Sequence, residues 1–142
     1  MKKLLLSFAV IALGLTSCKK YSTATLTSVE FNPINQTNLA NQNWDDSDEY
    51  DLYLQVKDGD GMLLFNSEID ENWNLDNKFY DVNIPLSDPE NKDLQILLYD
   101  VDEGENDLIY SKTYDLAQEQ GNEKIDNFNN GTSCKLNLFW TK

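Results

Sequence analysis

The chain has 142 residues, with 11 Lys+Arg against 25 Asp+Glu, no His, and a formal net charge of -14. All the basic residues are Lys. Without His there is no Ser/His/Asp triad, no Cys/His pair and no His-ligated zinc. Without Arg the chain lacks the best bidentate phosphate ligand. So acidic a surface repels nucleic acid and anionic lipid and attracts cations.

The first segment reads as an export signal. Lys2 and Lys3 are followed by an apolar run over residues 4–15, interrupted by Ser7 and Gly14. That run is too short to span a bilayer comfortably and suits the apolar region of a signal peptide. Leu15-Thr16-Ser17-Cys18 then resembles the lipobox of bacterial lipoproteins. The resemblance implies cleavage before Cys18 and lipidation of its thiol, with residues 1–17 as signal peptide and 18–24 as lipidated Cys and tether. A single acyl chain holds a protein marginally, and several hold it stably. Removing Lys2 and Lys3 takes the formal charge from -14 to -16. The expected location is the cell envelope, lipid-anchored. The outer membrane is the default, because Lys19 and Lys20 do not form an acidic export tag, and the face is left open.

The rest of the chain, residues 25–142, is one small domain by length. Short alternating runs are separated by Asn, Asp and Gly clusters, the pattern of strands and turns. The first strand covers residues 25–31. A second, over 50–56, puts Leu52, Leu54 and Val56 on one face. Asp58-Gly59 and Asp60-Gly61 mark a hairpin turn, since Asp-Gly suits positive φ, and a strand resumes at 62–65. Residues 78–84 place Tyr80, Val82 and Ile84 together, with Pro85 expected to end the strand. Residues 94–99 read as a central apolar strand, followed by 108–114 and 135–140. A weaker strand or turn lies at 125–128, and a single helical turn near 116–120. The whole predicts an all-β antiparallel Greek-key sandwich of about eight strands. Lipidation of Cys18 leaves Cys134 without a disulfide partner in the chain. Cys134 alternates with Leu136, Leu138 and Trp140 and reads as a buried small apolar residue.

Two acidic clusters flank strands. One is Asp45-Asp46-Ser47-Asp48-Glu49-Tyr50-Asp51, and the other runs from Asp100 through Asp102, Glu103 and Glu105 to Asp107. Two carboxylates ~4 Å apart repel by about 4 kcal/mol at an effective dielectric near 20. Several together call for a cation or raised pKa values. Calcium, which takes six to eight oxygens in flexible geometry, fits better than magnesium. An EF-hand reading from Asp100 fails, because its twelfth position is Ser111.

These clusters resemble those of the C2 domain family. That family carries an Asp some six residues before an Asp-Pro-Tyr strand start, then a later Asp-x-Asp-x(4–5)-Asp loop. Here Asp45 precedes Asp51-Leu52-Tyr53, and Asp100-Val101-Asp102 precedes Asp107. Asn72-Trp73-Asn74 with Phe79 is similar to the family's Asn-Pro-x-Trp-Asn segment, and Gly131 before residues 136–140 to its last strand. The departures are Leu52 in place of Pro, a missing Pro in the second motif with extra residues before Phe79, and a long stretch between Phe31 and Asp45. The resemblance implies calcium held by Asp45, Asp51, Asp100, Asp102 and Asp107, with Asp46 replacing Asp45 if the register shifts. Because only residues 25–31 read clearly as a strand before Asp45, the permuted version of the family's topology is expected.

Neither loop tip carries an apolar wedge, although Trp44 lies beside the first, and the Lys residues are scattered. Both features argue against a phosphoinositide patch. The sequence therefore predicts a non-catalytic, calcium-binding C2-like module on a lipoprotein, with calcium ordering the acidic loops either for structure or for contact with an unidentified protein or glycan partner. The alternative is a metal-independent extracytoplasmic binding module, a β-sandwich that contacts protein or glycan through exposed aromatics such as Trp44 and Trp73. Paired carboxylates also serve glycosidases, but such enzymes need a larger cleft than this chain provides.

Overall fold

The computed structural model describes residues 21–32, 34, 50–73, 77–102, 104–129 and 131–142. Its strands are β1 (Thr23–Phe31), β2 (Tyr50–Asp58), β3 (Leu63–Asn66), β4 (Asp70–Trp73), β5 (Lys78–Ser87), β6 (Asp93–Asp100), β7 (Asp107–Asp115), β8 (Lys124–Asn129) and β9 (Thr132–Thr141). One 3-10 turn, Pro89–Asn91, precedes β6.

The strands form two antiparallel sheets. One has the order β5-β1-β9-β8; the other has the order β3-β2-β6-β7, with β4 also pairing β2. The alternation seen in the sequence turns one face of each sheet inward. Leu52, Leu54 and Val56 of β2 meet Leu94, Ile96 and Leu98 of β6, and Leu26, Val29 and Phe31 close the core from β1. Phe31 sits edge-on to Tyr110, with ring centroids 5.4 Å apart. Burying such a side chain contributes about 1.5–3 kcal/mol. The two inner faces together therefore supply the main driving force for folding.

Among the described residues one strand, β1, precedes the first acidic segment, as the permuted topology requires. Three local expectations are corrected. The strand that begins at Lys78 does not stop at Pro85; it continues to Ser87, with Pro85 opposite Thr25. Proline is tolerated there because β5 is an edge strand, where a missing N–H leaves no ladder partner unsatisfied. β4 was not foreseen, because its acidic and amide residues carry no alternation. Residues 116–120 form turns, not a helical turn.

The packed sandwich also takes in residues before 25, which the sequence assigns to the tether. Tyr21 packs on Trp140 with ring centroids 5.4 Å apart, and the Ser22 N–H donates to the Thr141 carbonyl.

Candidate functional site

β2 starts where β6 ends, because the two pair antiparallel. Leu52 lies opposite Asp100, and Asp100 lies opposite Asp107 at the start of β7. Asp51, Asp100, Asp102 and Asp107 therefore gather at one end of the second sheet. Asp45 and Asp46 lie outside the described residues, as do Asp48, Glu49, Glu103 and Trp44.

Asp100 is the centre of this end and is only 1% exposed. Its Oδ1 accepts the Asp51 N–H at 2.9 Å, and the Asp51 carbonyl accepts the Val101 N–H at 2.9 Å. The two bonds tie the start of β2 to the residues that follow β6. Asp51, Asp102 and Asp107 are each half-buried. Burying a carboxylate is costly without compensating donors or a cation. Among the described residues no three carboxylates close on a common point by themselves. The donors are nonetheless all carboxylate oxygens, the hard ligands that calcium prefers. On that ground the donor chemistry of Asp51, Asp100, Asp102 and Asp107 suits such an ion, although as placed they form no closed ligand set.

The expectation that Asp58 belongs to a distal turn agrees with the structure. It lies at the far end of β2, and its Oδ1 accepts the N–H groups of Asp60 at 3.1 Å and Met62 at 2.8 Å. Asp58 is thus a turn cap. Gly61 takes φ +84 in that turn, a conformation that favours glycine.

Trp73 was expected as an exposed contact residue. It is half-buried instead, packed against the core at the end of β4, with the Lys78 ammonium 4.3 Å from its ring centroid. Lys78 also pairs with Asp70, and burial lowers its pKa. The ring and the acid hold this lysine in a structural contact.

A feature the sequence reading missed lies beside the acidic end. Tyr53 and Tyr99 stack across β2 and β6, with ring centroids 5.0 Å apart and planes 11° from parallel. The Asn106 amide donates to the Tyr53 hydroxyl at 3.1 Å, linking the stack to the segment between β6 and β7. The signal was present: both tyrosines occupy outward positions of their alternating strands.

Cys134 is fully buried. Burial pushes its thiol up to about 12, while hydrogen bonds from Tyr114 and Tyr110 act the other way. This is the inert core cysteine that the alternation predicted.

No family model and no curated protein matches the chain. Solved structures do. One, a structure of a C2 domain, is covered to 97% by 85% of this chain, at 15% identity and a TM-score of 0.56. The fold is that of a C2 domain. Human GIVD cytosolic phospholipase A2, in complex with a fluorophosphonate inhibitor and terbium chloride, matches 87% of the chain at 15% identity and a TM-score of 0.63. This chain spans only 18% of that phospholipase's length. The calcium-bound tandem C2 domains of extended synaptotagmin 2 match 85% of the chain at 17% identity and a TM-score of 0.53, with 46% of their own length covered. At these identities the likeness establishes the C2-like fold alone.

Proposed function

We propose that this chain is a non-catalytic, calcium-binding C2-like module carried by a cell-envelope lipoprotein. The observation that carries the reading is the gathering of Asp51, Asp100, Asp102 and Asp107 at one end of the sandwich, around the buried and backbone-bonded Asp100. Asp45, or Asp46, joins them in this reading from the preceding segment. Calcium neutralises the end and ties the segment before β2 to that after β6, giving an ordered surface for a protein or glycan partner. Calcium in the synaptotagmin structure and terbium in the phospholipase structure support the assignment by fold analogy. The lipobox around Cys18 supplies the anchor, and the location is the outer membrane.

The Tyr53–Tyr99 stack favours a second reading, a metal-independent binding module. There the two rings, with the Asn106 amide, make the contact to protein or glycan without an ion. Terbium luminescence separates the two readings. The chain from Tyr21 onward is titrated with terbium, and the tyrosine-sensitised emission is then challenged with calcium. Saturable emission displaced by calcium supports the metal site. Absence of emission, with melting curves that coincide in calcium and in chelator, supports the metal-independent module.

A further inference from the structure

The two ends of the sandwich differ in how the chain enters them. β1 runs from Thr23 toward the acidic end, so Tyr21 and Ser22 lie at the opposite end, bonded to the last residues of β9. The turn between β7 and β8 is there too: a Cβ added at Gly121 would meet the Tyr21 hydroxyl at 2.8 Å. Between the lipidated Cys18 and Tyr21 stand only Lys19 and Lys20, so the tether reaches at most about 11 Å. The nine residues of β2 separate the two ends by about 25–30 Å. A tether that short cannot bring the acidic end to the bilayer while the sandwich stands upright.

We propose that the sandwich stands on the anchoring membrane with the Tyr21–Trp140 end against the lipid head groups. The Asp100 end then points away from that membrane, toward a partner beyond it. This rests on the lipoprotein reading of Cys18.

The contact surface fits a lipid interface. The Tyr21 ring packs tilted against Trp140, the Lys142 ammonium lies 5.3 Å from the Tyr21 ring centroid, and Phe139 is 65% exposed. Amphipathic rings and lysine are the residues that settle at head-group level. Asp60, Asp88, Asp93, Asp115 and Glu123 are exposed at the same end, so the matching surface is zwitterionic, not anionic. The placement differs from a device that inserts its metal loops into the bilayer. Here the anchor does the holding, and the acidic end is left for contact with something other than its own membrane.

The test uses the full acylated chain in phosphatidylcholine vesicles that contain a nitroxide-bearing lipid. Glu123→Cys and Glu105→Cys each place one fluorescent label, at the Tyr21 end and between β6 and β7 respectively. Cys134 is fully buried and does not compete for label. The label at 123 is expected to be quenched several-fold more than that at 105, with and without calcium. Equal quenching would mean that the domain lies on its flank, and stronger quenching at 105, or quenching there that appears with calcium, would mean loop insertion. Each of these overturns the proposal while leaving the anchor intact. If the wild type fails to float with the vesicles, as Cys18→Ser is expected to fail, the lipoprotein reading falls and takes the orientation with it.

Discussion

Asp58 and Asp100 are both buried carboxylates near the ends of paired strands, yet they sit at opposite ends of the sandwich and do different things. Asp58, 9% exposed, accepts two N–H groups from its own turn, and its neighbours in sequence are two glycines and one further acid. Asp100, 1% exposed, accepts the Asp51 N–H from a different strand and lies at the same end of the sheet as Asp51, Asp102 and Asp107. A carboxylate that caps a turn is satisfied locally. One that shares a strand end with three others adds to the negative charge there, which a cation would offset. Burial alone therefore does not mark a functional acid; the company it keeps does.

The largest expected effect is on the acidic end. Calcium at a hundred times its dissociation constant stabilises the wild-type domain by about 2.7 kcal/mol if it binds only the folded state. In a thermal melt this is a rise of several degrees or more over the same protein in chelator. Magnesium gives a smaller rise. Asp100→Asn removes most of the calcium increment, since it takes a charge and a ligand oxygen from the centre while leaving an acceptor for the Asp51 N–H.

Next in size is Asp58→Ala. Losing two hydrogen bonds to a charged acceptor costs about 1–3 kcal/mol, and the cost is the same in calcium and in chelator. A calcium increment that shrinks in this variant would break the distinction between the two ends. Asp102→Asn is smaller in chelator, within about 0.5 kcal/mol of wild type or slightly stabilising, but it lowers the calcium increment. An ordinary hydrogen-bonded loop would lose stability in both conditions.

The smallest effect belongs to Tyr53→Phe. It deletes the hydroxyl that holds Asn106 and keeps the ring stack. The exposed bond contributes about 0.5–1 kcal/mol. In the metal-site reading calcium affinity is nearly unchanged.

Much of this architecture was legible in the sequence because strands with one buried face must alternate. Leu52, Leu54 and Val56, and Tyr80, Val82 and Ile84, announced their faces, and all six are core residues. What escaped had no such pattern. β4 is polar and exists because β2 offers it pairing partners, with Tyr50 opposite Trp73. Pro85 reads as a breaker until β5 is known to be an edge, which is a property of the sheet and not of the strand. The meeting of Asp51, Asp100 and Asp107 was inferred from the family resemblance, and the register of β2, β6 and β7 places them together. Trp73 went wrong because an aromatic beside polar residues looks exposed, whereas Lys78 and the core cover it. The tyrosine stack was hidden for a different reason: it depends on which strands are neighbours, and its members lie far apart in the sequence.

The most direct measurement is calorimetric titration of calcium into the chain from Tyr21 onward, run in parallel on wild type, Asp58→Asn and Asp100→Asn, each checked for folding by circular dichroism. Saturable binding in wild type and Asp58→Asn, lost or strongly weakened in Asp100→Asn, is the result expected of a metal site at the Asp100 end. No binding heat in folded wild type at millimolar calcium, together with coincident melting curves in calcium and in chelator, would contradict it. So would binding that survives Asp100→Asn and fails in Asp58→Asn.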